Sequence, residues 1–220
     1  MALAINGTTG ISGVDGSVSA PALTGTDSNT GITFPSADTI KLSTAGVERM
    51  AITNDGVVTS GYIVQTVNTT TQSEAETSGT TFIDTNLEHS ITPIAANSKI
   101  LVIISQQLAI NTSDSGNGGG LNINRKVASG SFSVIEQAPA NSFGPFSFFI
   151  SHGGATTTNY HFRHNMTHLD TPSYSLGQSI TYKTQMRCYL TGTSFFLRAQ
   201  TDAADVHAPT SHIVLMELAA

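Results

Sequence analysis

From residue 62 to the C-terminal end, hydrophobic and polar positions alternate with a period of two, the repeat of a half-buried β-strand. YIVQTV (62–67) puts Ile63, Gln65 and Val67 on one face and Tyr62, Val64 and Thr66 on the other. KILVIISQQLAI (99–110) is almost continuously apolar before it begins to alternate. That predicts a central strand, buried on both faces, that later emerges toward solvent. Further strands are predicted at 120–127, 132–137, 146–151, 159–166, 179–190, 194–200 and 212–218. Turn sequences separate them: Gly116 to Gly120, Ala138-Pro139, Gly153-Gly154, Asp170-Thr171-Pro172 and Thr191-Gly192. Strands at this spacing, with no helical period between them, predict an antiparallel β-sandwich of jelly-roll type over 62–220. TQSEAETSG (71–79) is short and polar and reads as a loop.

Residues 1–61 have a different texture. Large apolar side chains such as Leu23, Ile32, Phe34, Ile40, Leu42, Met50 and Ile52 are scattered among glycines and hydroxyls. This predicts an extended arm with small β-hairpins, turning at PSAD (35–38), TAG (44–46) and NDG (54–56). Gly7, Gly10, Gly13 and Gly16 recur at every third residue. Without proline the run is too short for a collagen triple helix, and extended linker is the simpler reading. A segment with so little bulk does not offset about 1–2 kcal/mol of backbone entropy per residue by itself. It is expected to become ordered only against a partner or further copies of the chain.

Composition narrows the classes. Only 11% of the 220 residues are charged, and Ser plus Thr make up about a quarter. The net charge is −6, spread evenly: five acidic and two basic residues in 1–61 give −3, and ten acidic and seven basic in 62–220 give −3. Neither part has the basic face that nucleic acid requires, so no nucleic-acid partner is expected. No run of about 18 apolar residues predicts membrane insertion, and MALAINGTTG does not have the make-up of a secretory signal. A lone cysteine, Cys188, excludes an internal disulfide and a cysteine-based zinc site, and its strand context predicts a buried, inert thiol.

Candidate chemistry is sparse. Four histidines fall between 152 and 168. On a strand His164 and His168 share a face roughly 13 Å apart, too far for one ion, and His161 points to the other face. Copies of one histidine converging on a symmetry axis would complete a metal site. Polar, partly exposed side chains account for the cluster without a metal. Glycoside cleavage needs a carboxylate pair, available here from Glu74, Glu76, Asp84, Glu88, Asp114, Glu136, Asp170, Asp202, Asp205 and Glu217. Most of these lie beside turn residues and are expected to cap turns. GNGGG lacks the Lys-Ser/Thr of a phosphate loop, and no G-x-S-x-G elbow occurs. No catalytic residue, metal ligand or cofactor is therefore assigned, and an enzyme is not expected. Phe143, Phe146, Phe148 and Phe149 are the densest aromatic cluster, suited to a core or to a subunit interface.

Several blocks carry a resemblance. LAINGTTGISGVDGS, then APALTGTDSNTGITF and DTIKLSTAGVERMAITNDGV, resembles the N-terminal block of phage tail-fibre and related virion structural proteins. IVQTVNTTTQ, ITPIAANSKILVIIS, LDTPSYSLGQSITYKTQMR and SHIVLMELA resemble a domain common in phage fibres. HFRH and the phenylalanine cluster have no counterpart in that pattern. The resemblance implies a homotrimeric, non-enzymatic virion component. Residues 1–61 would dock it to a tail adaptor or baseplate and drive oligomerisation, and 62–220 would contact a host surface glycan or protein. Two alternatives stand beside it: a trimeric capsid cement or decoration protein bound to the major capsid protein, and a polysaccharide-degrading tail enzyme. Receptor contacts are expected on the loops 111–120, 138–145 and 201–210.

Overall fold

The computed structural model describes residues 4–6, 10–12, 15–59, 62–112, 118–136, 148–151, 158–190, 195–199 and 210–219. Among the described residues the chain is all-β, with several antiparallel sheets and no helix. It divides into two compact units, one of Met1–Val64 with Ala219–Ala220 and one of Gln65–Leu218.

In the first unit, β1 (Ala4–Asn6) pairs with β2 (Gly10–Ser12), and β3 (Gly16–Ser17) with β4 (Ala20–Pro21). The hairpins expected downstream are joined into one antiparallel sheet in sequence order: β5 (Leu23–Thr24), β6 (Gly31–Thr33), β7 (Ile40–Thr44), β8 (Val47–Thr53) and β9 (Gly56–Val58). Short turns make this possible. Between β7 and β8, Ala45 (φ 52°) and Gly46 (φ 73°) both take the left-handed conformation, the backbone of a type I′ hairpin turn. β3 and β4 pack on β6, where Gly31 passes so close to the Leu23 carbonyl that a Cβ there would overlap it.

The second unit is a two-layer sandwich. Its remaining strands are β10 (Ile63–Thr71), β11 (Ala75–Thr77), β12 (Ile83–Ile91), β13 (Lys99–Thr112), β14 (Gly118–Val127), β15 (Ser133–Glu136), β16 (Phe148–Ser151), β17 (Thr158–Asp170), β18 (Ile180–Cys188), β19 (Phe195–Ala199) and β20 (Ser211–Leu218). The first sheet is organised by the long β13. β17 runs along one edge from Ile100 to Thr112. The other edge is shared, with Lys99–Ser105 pairing β20 and Leu108–Thr112 pairing β19. β10 flanks β20, and β11 flanks β19. The second sheet runs β12-β18-β14, with β15 and β16 sharing the last edge of β14.

Counting β15 with β16 as one interrupted strand and β11 and β19 as extensions leaves eight strands. They run first-eighth-third-sixth in one sheet and second-seventh-fourth-fifth in the other, the order of a jelly roll built from two Greek keys. The expected jelly-roll-like sandwich is therefore present. Leu87 and Ile91 from β12, Val102, Ile104 and Leu108 from β13, Leu121 and Ile123 from β14, Tyr182 and Met186 from β18, and Ile213 and Leu215 from β20 meet in one buried cluster.

Two strands depart from the sequence reading. Ala75–Thr77 was expected to be loop but is a strand pairing with Leu197–Ala199. Ile83–Ile91 was not expected as a strand, yet it is an outer member of the second sheet. Its inward positions are Ile83, Thr85, Leu87, His89 and Ile91, so its apolar alternation is diluted by a hydroxyl and an imidazole. The register also slips between Asp84 and Glu88, where Asn86 has φ 63°. The partner of that hydroxyl lies on other strands: Thr85 Oγ1 bonds Thr184 Oγ1 at 2.5 Å, and Thr184 Oγ1 donates to Gln106 Oε1 at 2.8 Å. All three residues are fully buried, so this polar chain ties one sheet to the other inside the core.

Candidate interaction surfaces

Seven apolar residues of the N-terminal sheet form two cross-strand rows. Leu23, Ile32, Leu42 and Met50 are successive register partners, and so are Ile40, Ile52 and Val57. Period-two alternation puts all seven on one face. That face is open: Leu23, Ile40, Leu42, Ile52 and Val57 all count as exposed, Val57 at 48%. The opposite face buries Thr33, Ser43 and Ala51, and Ala51 is the one apolar side chain described as buried in this sheet. The hydroxyls of Thr33 and Ser43 are buried with no hydrogen-bond partner among the described residues. The unit thus exposes its aliphatic side chains and buries small polar ones, the reverse of a self-sufficient sheet.

The outward face of β12-β18-β14 is charged and internally paired. Lys183 Nζ donates to Asp84 at 2.7 Å, and Gln185 Nε2 donates to the same carboxylate at 2.7 Å. Lys183 and Lys126 both lie over the Phe132 ring, 4.0 and 4.7 Å from its centroid. Arg187 stacks on Phe82 and donates to the Thr80 carbonyl at 2.9 Å. Beside the slipped register, Ser73, Asp84, Asn86, Glu88, Lys183 and Thr184 line a depression of about 400 Å³. Burial opposes ionisation of Asp84, but the bonds from Lys183 and Gln185 outweigh it and hold its carboxyl below the usual range. A general acid for glycoside cleavage needs the opposite shift, so Asp84 is not built for that role.

The histidines separate on β17 as the strand period requires. His161 faces outward and is exposed. His164 and His168 share the other face with the buried Met166, and His168 Nδ1 lies 2.7 Å from Glu136 Oε2. Among the described residues no three His, Cys, Asp or Glu side chains are grouped closely enough to hold a metal ion. Burial lowers the pKa of His164. Its folded form therefore binds a proton less readily than the unfolded chain, whose histidines titrate near 6.5. Stability is expected to be complete above pH 6.5 and to fall as acid protonates the unfolded state preferentially. Thermal melts from pH 7.5 to 5 should show a declining midpoint, with a shallower slope for His164→Gln. An unchanged slope in the variant would remove His164 as the cause.

Two buried carboxylates bind groups far away in sequence. Asp170 takes both contacts from Arg125 Nη1, at 2.7 and 2.9 Å, and a third from Tyr182 Oη at 2.8 Å. Glu217 is fully buried and accepts four hydrogen bonds. Glu217 bears out the turn-capping expectation, since Ile94, Ala95 and Ser98 lie in the β12–β13 connection. Asp170 departs from it, because Arg125 and Tyr182 come from the strands β14 and β18. Cys188 is fully buried, as expected, with its Sγ 3.2 Å from the Thr77 carbonyl oxygen. Asp114, Phe143, Phe146, Asp202 and Asp205 lie outside the described residues, as do most of the three loops expected to contact a receptor. Phe148 and Phe149 lie on β16, opposite Leu121 and Gly120 of β14.

No family model matches the chain, and no curated protein matches it. Function rests on the sequence blocks quoted above and on these surfaces.

Proposed function

We propose that the chain is a structural component of a phage virion, a homotrimeric tail fibre or tail appendage. Its N-terminal unit joins it to further copies and to an adaptor or baseplate protein, and its sandwich is directed toward a host surface glycan or protein. The observation that carries this reading is the N-terminal sheet, with one aliphatic face open and only Ala51 buried among its apolar residues. Such a sheet is stable only when another surface covers it, and threefold assembly lets three thin sheets share one core. The low charge supports the same reading, because close packing of copies then desolvates few ions.

The test is the mass of the purified full chain by native mass spectrometry, combined with labelling of intact particles. Three copies per assembly and a few labels confined to the tail are expected. Labels numbering in the hundreds across the shell would replace the tail by a capsid-decorating role, and a monomer absent from particles would overturn the reading. Release of new reducing ends from host polysaccharide would instead establish an enzyme.

A further inference from the structure

We infer that the depression at the slipped register of β12 is a saccharide-binding site, where Asp84, Asn86 and Glu88 accept hydrogen bonds from sugar hydroxyls and Lys183 donates one. The inference rests on the sandwich being the host-facing part and adds the ligand class and the place. The slip builds the site. Between the register pairs Asp84–Gln185 and Glu88–Lys183, β12 advances four residues while β18 advances two. Asp84, Asn86 and Glu88 are all exposed on the outward side, so three polar side chains stand against two on β18. Asn86, with its left-handed φ of 63°, takes up the excess, and bulges of this kind re-aim side chains beside functional sites. Ser73, from the connection between β10 and β11, forms part of the rim. At about 400 Å³ the space falls within the roughly 300–1,000 Å³ of small-molecule sites.

The hydrogen-bonding groups select the ligand, because acceptors are in excess. The Glu88 carboxylate has no hydrogen-bond or ion-pair partner among the described residues. Asn86 donates from Nδ2 to the Glu74 carbonyl at 2.9 Å, which leaves its Oδ1 as an acceptor. The Asp84 carboxylate receives Lys183 and Gln185, both at 2.7 Å, and a carboxylate has about four lone-pair sites. Lys183, the one cation of the lining, is 8% exposed, and its three-donor ammonium lies between Asp84 and the Phe132 ring.

A ligand must therefore bring several closely spaced donors. An anion would meet two carboxylates. A metal ion would meet the Lys183 ammonium, and no suitable group of three ligating side chains exists among the described residues. A peptide backbone brings as many carbonyl acceptors as amide donors. Neighbouring hydroxyls on a sugar ring donate in pairs to one carboxylate, accept from an ammonium and carry no charge. No aromatic ring lines the space, so affinity rests on these bonds, with a Kd on the order of 1 mM for a monosaccharide. Several copies engaging one polysaccharide raise it by avidity.

Saturation-transfer NMR of the full chain, titrated with the methyl glycosides of glucose, galactose, mannose and N-acetylglucosamine, compares wild type with Glu88→Ala, Asn86→Gly and, in the N-terminal unit, Asp55→Asn. Binding to immobilised host polysaccharide is measured in parallel. At least one glycoside is expected to bind wild type and Asp55→Asn alike. Glu88→Ala and Asn86→Gly should each weaken it roughly tenfold. Both side chains are exposed, and glycine suits the left-handed backbone at position 86, so both variants should melt with wild type. Glycoside binding undiminished in Glu88→Ala would overturn this site and leave a host-glycan contact elsewhere on the sandwich standing. No binding of any glycoside or of the polysaccharide would overturn the site as well, while labels on the tail of intact particles would keep the virion role. Host surface protein bound in place of any saccharide, and lost in Glu88→Ala, would overturn the sugar and make the depression a peptide site.

Discussion

Glu217→Ala is expected to destabilise the sandwich by about 3–5 kcal/mol, lowering its melting midpoint by roughly 6–20 °C. The carboxylate is fully buried at the end of β20. Its Oε1 accepts from the Ala95 amide at 3.0 Å and from Ser98 Oγ at 2.8 Å. Its Oε2 accepts from the Ile94 amide at 3.1 Å and from Gln65 Nε2 at 2.7 Å. Truncation leaves all four donors without their acceptor, and two of them are backbone amides of the β12–β13 connection. Glu217→Gln keeps one acceptor oxygen but turns the other into a donor facing donors, so its loss should be smaller. Circular dichroism melts compare the two, and a midpoint within about 2 °C of wild type for Glu217→Ala would show that water replaces the carboxylate.

Asp170→Ala carries the second largest expected loss, about 2–4 kcal/mol, discounted because Arg125 is partly exposed. Asp170, at the end of β17, receives Arg125 from β14 and the Tyr182 hydroxyl from β18, so it joins the two sheets. Burial, and then the charge of Asp170 and the bond to it, push the Tyr182 phenol far above its ordinary range, leaving it a permanent donor. Removing the carboxylate strands both a guanidinium and a hydroxyl. Tyr182→Phe removes only the donor and should cost about 1 kcal/mol. The double substitution Arg125→Met with Asp170→Leu is expected to be milder than Asp170→Ala alone, because the cost lies in the orphaned partner rather than in the lost attraction. Urea unfolding of the three variants separates these contributions. If the double variant were the worst of them, the pair would be a net source of stability.

The strands that were legible in the sequence are those whose inward residues are aliphatic. β13, β14, β18 and β20 all carry Ile, Leu or Met at inward positions, and each was recognised. β12 was missed because two of its inward residues, Thr85 and His89, are polar, and Thr85 is accommodated by bonding Thr184, which in turn bonds Gln106 of the other sheet. β11, only three residues long, exists because β19 offers it an edge. In the N-terminal unit the apolar pairs were visible as separate hairpins. Their fusion into one sheet depends on turns short enough to keep each strand beside the next, and the Ala45-Gly46 turn uses an alanine in a conformation its sequence does not favour. The partners of the carboxylates were invisible for a simpler reason. Arg125 and Asp170, or Gln65 and Glu217, are brought together by strand order, which local pattern does not encode.

Alternation of apolar and polar residues was enough to establish an all-β chain, a bulk-poor first part and a sandwich in the second, because a strand sets its period-two burial locally. Tertiary structure alone decided which face of each strand meets the core and which is left over. That remainder is where the surfaces differ: one sheet of the sandwich turns ion pairs outward, the other turns Leu101, Ile103 and Leu169 outward, and the N-terminal sheet leaves its aliphatic rows open. An apolar position reads the same in sequence whether its neighbours come from the same chain or from another. Only when the chain's own packing has been completed does the uncovered part become visible.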